Sequence, residues 1–176
     1  MCKTILFDLL DVSVRPSISR GLALFAFNKE FFIMKKVLLP IDGSACALRG
    51  VALVISKRSH YARPDDLDIH LVNVQAPFPH DVSRFSSHEQ MLEFHREESQ
   101  KLMRDACALL DAAGAKYTCH CEVGKVAETI IALADSLQSE QIVMGTHGRG
   151  ALSELLMGSI TLKVVHLSKI PVLLVK

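Results

Sequence analysis

From residue 35 onward the period of the apolar positions changes repeatedly, and each change predicts an element. Val37-Leu38-Leu39-Pro40-Ile41 is a continuous apolar run, as expected of a strand buried on both faces. Asp42-Gly43-Ser44 then supplies a turn and cap, and residues 45–56 read as a helix. A second strand is predicted at 67–74, ahead of Pro77, Phe78 and Pro79, which break the chain and open a polar loop. Residues 87–113 form a long amphipathic helix, with Leu92, Met103, Ala106 and Leu110 inward and a face rich in Glu, Arg and Lys outward. Gly114 ends it. A third strand follows at 117–122, a third helix at 126–137, a fourth strand at 141–144, a fourth helix at 159–167 and a closing strand at 172–175. Strict alternation of strands and helices implies right-handed crossovers and an open parallel sheet with helices on both faces, the single-domain α/β class.

Residues 1–33 stand outside this pattern. Asp8 and Asp11 interrupt the early apolar stretch, and the run at 22–27 is short. The flanks suit neither a signal peptide nor an acid-poor transit peptide. Met34-Lys35-Lys36-Val37 has the look of a natural start running straight into a first strand. The expected organisation is a weakly structured extension or misassigned start over 1–33, followed by one domain over 34–176.

Composition narrows the function classes. Of the 176 residues 49% are apolar, yet no apolar run reaches the ~20 residues a membrane span needs. Twenty basic and nineteen acidic residues leave a net charge of +1, so no long-range field recruits nucleic acid or an anionic membrane. Trp is absent and aromatics make up 6% of the chain, which leaves little for a base-stacking surface. The five cysteines are odd in number and follow no secretory signal, so a cytoplasmic protein without a disulfide framework is expected. Cys119-His120-Cys121 invites a metal reading. In a strand, however, the two cysteines share one face while His120 points to the other. With Tyr117 on the cysteine side, both are expected to be buried, reduced core residues. No His-x-x-x-His pair is present, and no metal site is expected.

The candidate chemistry sits near the C-terminal end. Gly145-Thr146-His147-Gly148 is followed after nine residues by Gly158-Ser159, between the strand at 141–144 and the helix at 159–167. Glycines there let the backbone turn and approach a ligand, and a small hydroxyl residue at a helix start leaves free N–H groups aimed at an anion. The combination reads as a phosphate cradle. The competing reading is a turn plus an ordinary helix cap at Ser159. No P-loop is present, and Gly148-Arg149-Gly150 lacks the third glycine of the dinucleotide fingerprint.

Ligands of such sheets sit beyond the C-terminal strand ends, where the strand order reverses. Pro40-Ile41-Asp42, Asn73-Val74 and the glycine loop all end there. Asp42 is placed to accept ribose hydroxyls or reach a phosphate-bound Mg²⁺, or else to cap the next helix. Val74 offers backbone groups to an adenine edge, or is plain core. Arg149 is placed to meet phosphate oxygens, or is a solvated loop arginine. His147 has no partner nearby in sequence and is read as loop structure. No residue pair offers an activated nucleophile or a placed general base, so no catalytic residue is named.

Together the start Lys-Lys-Val-Leu-Leu-Pro-Ile-Asp-Gly-Ser, the strand Leu-Val-Asn-Val, the stretch Ile-Val-Met-Gly-Thr-His-Gly-Arg-Gly…Leu-Leu-Met-Gly-Ser-Ile-Thr and the ending Ile-Pro-Val-Leu-Leu-Val resemble the universal stress protein family over residues 34–176. The complete Gly-x-x-Gly-x9-Gly-Ser motif resembles that of the family's ATP-binding branch. The resemblance implies ATP contacts from Pro40, Ile41, Asp42, Val74, Met144, Gly145, Gly148, Gly158, Ser159, Ile160 and Thr161, with Arg149 where a basic residue is common. It implies a sheet in the order 3-2-1-4-5, of the adenine nucleotide alpha-hydrolase-like type, and a homodimer built on the last strand. The expected function is an ATP-binding stress-response switch, with Mg²⁺ on the phosphates and slow hydrolysis at most. A true ATP-hydrolysing enzyme and a nucleotide-free stress-response dimer are the alternatives, and a flavodoxin-like FMN protein would be fold analogy only.

Overall fold

The computed structural model describes residues 35–60, 63–78, 87–150 and 157–176. The expectation for residues 1–33 lies outside the described residues. The elements run β1 (Lys36–Pro40), α1 (Ala45–Lys57), two short 3₁₀ turns (Arg58–His60 and Pro64–Asp66), β2 (Asp68–Gln75), α2 (His88–Ala112), β3 (Tyr117–Val123), α3 (Val126–Ser136), β4 (Gln141–Gly145), α4 (Ser159–Leu167) and β5 (Val172–Val175). The strands form one parallel sheet in the order β3-β2-β1-β4-β5. The expected fold class and strand order are therefore met.

Alternation along β1 shows why its sequence is apolar throughout. Val37 and Leu39 pack with Ala47, Val51 and Val54 of α1 and with Met103, Ala106 and Leu110 of α2. Leu38, between them, packs on the opposite face with Ala127, Ile130 and Ala134 of α3 and Val164 of α4. A strand flanked by helices on both sides needs apolar residues at every position. Helices α1 and α2 thus cover one face and α3 and α4 the other. Neighbouring strands β1 and β4 feed helices on opposite faces, which opens a crevice beyond their C-terminal ends.

Local chemistry stops the helices where the sequence says. Ser44 caps α1 by accepting from the Ala47 N–H at 3.2 Å. Ser87 and Gln90 form a reciprocal capping box on α2. Gly114, at φ +58°, takes the left-handed turn that ends α2. Among the described residues no helix is long and apolar enough to cross a membrane.

Two burial expectations fail for geometric reasons. Leu92 was expected inward but is 52% exposed, and the buried stripe of α2 begins only at His95. A helix of 25 residues is about 37 Å long, whereas the eight residues of β2 span about 26 Å. The first turns of α2 therefore overhang the sheet. Cys119 and Cys121 were expected to be buried, but both are exposed. Their strand, β3, is the sheet edge, and among the described residues β2 is its only strand partner and none covers its outer flank.

The buried guanidinium of Arg58 closes the far end of the domain. It donates to the Ala113 carbonyl at 2.9 Å and the Gly114 carbonyl at 3.2 Å, and it pairs with Asp65 at 3.2 Å. A cation is thereby set on the orphan carbonyls at the C-terminus of α2. Replacing it strands those carbonyls. Arg58→Ala is expected to lower the unfolding free energy by about 2–3 kcal/mol in urea melts, and Asp65→Asn by much less. Equal losses in the two variants would show that the ion pair, and not the helix end, is what Arg58 serves.

Candidate functional site

A cavity of about 560 Å³ opens at the C-terminal ends of β1 and β4. All twelve residues singled out from the sequence line it: Pro40, Ile41, Asp42, Val74, Met144, Gly145, Gly148, Arg149, Gly158, Ser159, Ile160 and Thr161. Its floor is apolar, with Ile41, Val72 and Met144 buried and Ile130 of α3 beside them. Its rim is polar, from Asp42, His147, Arg149 and Ser159. One side suits a flat apolar ring and the other an anion.

Asp42 ties the two loops of the rim together. One carboxylate oxygen accepts from the Ser44 N–H at 2.9 Å and the other from the Arg149 N–H at 3.2 Å, 107 positions away in sequence. Ser44, and not Asp42, makes the side-chain cap of α1. The capping alternative for Asp42 is thereby replaced by an Asx-type turn plus a cross-loop bond.

The glycines of the motif have different physical reasons. A Cβ at Gly145 would lie 2.6 Å from the Cys46 Cβ and 3.0 Å from the Cys46 backbone, so this position is glycine because α1 packs directly on the end of β4. A Cβ at Gly148 would lie 2.6 Å from the Asp42 carboxylate oxygen and would push it off Arg149. At Gly158 a Cβ would meet nothing nearer than the Thr146 carbonyl at 3.4 Å, and the backbone φ is −59°. Packing accounts for the first two and leaves the third open.

Helix α4 begins at that third glycine. Gly158 is its N-cap and provides no side-chain bond to the first turn, where Ser159 and Ile160 are exposed at the cavity. A helix start of this kind presents bare N–H groups and the positive end of its dipole. The Ser159 side chain is thus not the N-cap that the competing sequence reading required. Thr161 is buried, and its hydroxyl donates to the Gly145 carbonyl at 3.1 Å, anchoring α4 to the end of β4.

Sequence reasoning passed over two polar residues here. His147 lines the cavity, with Nδ1 2.9 Å from the Thr146 hydroxyl. Its Nε2 is buried and has no partner among the described residues. Asn73 is 3% exposed; its Nδ2 donates to the Ile41 carbonyl at 2.6 Å, and its Oδ1 accepts from Ser99 at 2.9 Å and Gln75 at 2.7 Å. An amide inside an otherwise apolar strand was the available signal, because a buried polar group must be bonded. His147 was read as having no partner nearby in sequence, and the structure corrects this, because its partner is the hydroxyl of the adjacent Thr146.

A continuous parallel sheet whose crossovers change face between the paired strands β1 and β4, with a cavity beyond their ends, defines an open, doubly covered α/β domain. The chain belongs to the universal stress protein family, whose family model matches residues 34–176. A universal stress protein of Thermus aquaticus, encoded in the QAH/OAS sulfhydrylase 3′ region, is 32% identical over 145 residues, covering 82% of this chain and all of that one. Among solved structures, the hypothetical protein MJ0577 of Methanocaldococcus jannaschii superposes with a TM-score of 0.67 at 30% identity, covering 82% of this chain and 97% of the other. A universal stress protein in complex with cAMP shares the fold, with a TM-score of 0.59 at 23% identity, covering 81% and 97%.

The division among the glycines is measurable without any ligand. Gly145→Ala should cost about 1–3 kcal/mol by overpacking, whereas Gly158→Ala should stay within about 0.5 kcal/mol, both read from denaturant unfolding of the ligand-free protein. Gly148→Ala should fall between them, because the flexible Asp42 carboxylate can yield. A Gly158→Ala loss as large as that of Gly145→Ala would remove the packing argument.

Proposed function

We propose that this chain is an ATP-binding member of its family, in which bound nucleotide acts as a switch in the stress response. The observation that carries this reading is the uncapped start of α4 at Gly158, a position where packing does not demand glycine, opening on an apolar-floored cavity. The adenine lies on the floor with its edge toward the backbone of Val74. The ribose is next to Asp42, and the phosphates sit against the N–H groups from Gly158 to Thr161, with Arg149 alongside. Mg²⁺ enters bound to the phosphates. A universal stress protein of the same fold is in complex with cAMP, which supports an adenine nucleotide as the ligand.

Turnover on this reading is slow. Both oxygens of Asp42 are occupied by backbone N–H donors, and the chain has neither a P-loop lysine nor a Walker-type acid. The bare Nε2 of His147 is the one feature favouring a hydrolase instead. Calorimetric titration with ATP and Mg²⁺ is expected to show binding in the wild type and its loss in Gly158→Val, whose branched side chain fills the phosphate approach while the fold persists. Equal binding by both proteins would remove the cradle. Hydrolysis is expected far below the ~10 s⁻¹ typical of enzymes. A rate near that value, lost in His147→Gln with binding retained, would make the protein an ATPase.

The reading includes a homodimer through β5 and a cytoplasmic location. Among the described residues strand β5 pairs only with β4, and its residues Val172, Leu173, Leu174 and Val175 are half-buried in the single chain. An apolar strand with an open edge invites pairing, and a two-fold mate would satisfy it. Light scattering is expected to give twice the 19.4 kDa chain mass, and Leu173→Lys to shift the protein toward monomer. A monodisperse wild-type monomer at micromolar concentration would rule this assembly out.

A further inference from the structure

Away from the cavity, α2 crosses the edge strand β3 and brings two thiols together. The Sγ atoms of Cys107 on α2 and Cys119 on β3 are 3.6 Å apart, a contact about 1.5 Å longer than a disulfide bond. Both cysteines sit on regular elements: Ala106, next to Cys107, is fully buried in the core, and β3 pairs with β2 along its whole length. Cys107 is half-buried, packed on the core, and Cys119 is exposed. One sulfur is open to solvent and the other waits behind it. Cys121 lies on the same face of β3, roughly 6.6 Å further along the strand, at the long end of the Cα separations a disulfide spans, whereas the Cys107 and Cys119 sulfurs are already in contact.

We propose that Cys107 and Cys119 form a reversible oxidation site, which closes an intramolecular disulfide between α2 and β3 on reaction with a small disulfide such as oxidised glutathione. The exposed Cys119 thiolate attacks one glutathione sulfur; a mixed disulfide forms and a glutathione thiolate leaves. The Cys107 thiolate then attacks the Cys119 sulfur, the protein disulfide forms, and the second glutathione thiolate leaves. The two protons lost by the cysteines end on the two glutathione thiols. The protein gives up two electrons and oxidised glutathione takes them. Burial and the neighbouring Cys107 thiol push Cys119 up to about 12, so its thiolate is scarce at neutral pH and the reaction quickens as pH rises. The bridge ties the edge strand to its covering helix.

The test uses the full-length protein, incubated with oxidised glutathione, alkylated and digested with trypsin without reduction. Cleavage after Arg104 and after Lys116 puts Cys107 on one peptide and Cys119 with Cys121 on another. The expected result is that these two peptides are joined, with fragmentation placing the link at Cys119. Cys46 and Cys121 should be alkylated, and dithiothreitol should undo the bridge. The rate is expected to rise ~tenfold per pH unit between about pH 7 and pH 9. Cys121→Ser should leave the link intact and Cys119→Ser should abolish it, with circular dichroism showing that both variants fold. Lasting single glutathione adducts, a link through Cys121, or a link between two chains would each overturn the proposal.

Discussion

The side-chain amide of Asn73 joins the two halves of the site. Parallel strands end with carbonyls that the sheet no longer pairs, and between β1 and β4 those ends are also buried. Asn73 meets this demand by donating to the Ile41 carbonyl while its own oxygen accepts from Ser99 of α2 and from Gln75. Losing such a bond leaves a buried acceptor unpaired, which costs about 1–3 kcal/mol. The position of Ile41 then sets Asp42, and Asp42 in turn holds the glycine loop through the Arg149 N–H. A run of bonds from α2 through β2 and β1 thus reaches the glycine loop, 107 positions beyond Asp42 in sequence. The rim of the cavity is rigid on one side because the core is.

The other side depends on close approach. Helix α1 lies against the last residue of β4 so tightly that Gly145 has no room for a Cβ, and Thr161 pins α4 to the same residue's carbonyl. Two helices on opposite faces therefore converge on one glycine at the end of one strand. That convergence sets the start of α4 beside the crevice, with its first N–H groups uncapped. The glycine spacing in the sequence records this packing as much as any ligand.

Much of this was legible in the sequence, and the misses share one cause. Strands β1 and β4 read correctly because burial on both faces writes an unbroken apolar run, and β2 because its run is interrupted only by the buried polar residues His70 and Asn73. Of the twelve residues that line the cavity, the eight from Met144 to Thr161 follow from a strand-to-helix junction with fixed glycine spacing, and Pro40, Ile41, Asp42 and Val74 from the rule that crevices open beyond C-terminal strand ends. Leu92, Cys119 and Cys121 misled because periodicity reports which face a residue takes, and not whether a neighbour extends far enough to cover it. At the overhang of α2 and at the edge strand β3, no neighbour among the described residues does. His147 was passed over because its bond is to the adjacent Thr146 and its free nitrogen is a property of the assembled cavity.

The distribution of polar groups around the cavity bears on switch against enzyme. A general base must hold an unshared pair near the attacking water. Asp42 accepts one N–H on each oxygen, from Ser44 and Arg149, so taking up a proton would weaken the bonds that hold the glycine loop. A phosphate at the start of α4 would instead add its charge to N–H groups already oriented, with no such weakening. Binding is thereby matched to the resting geometry, and proton abstraction by Asp42 works against it. The Nε2 of His147 is the exception, buried in the cavity wall with Nδ1 held by Thr146. If Thr146 donates to Nδ1, Nε2 carries the proton and is a donor, suited to steadying an anion. If Nδ1 carries the proton, Nε2 is an acceptor. The tautomer of this one ring therefore decides whether His147 serves phosphate binding or proton abstraction.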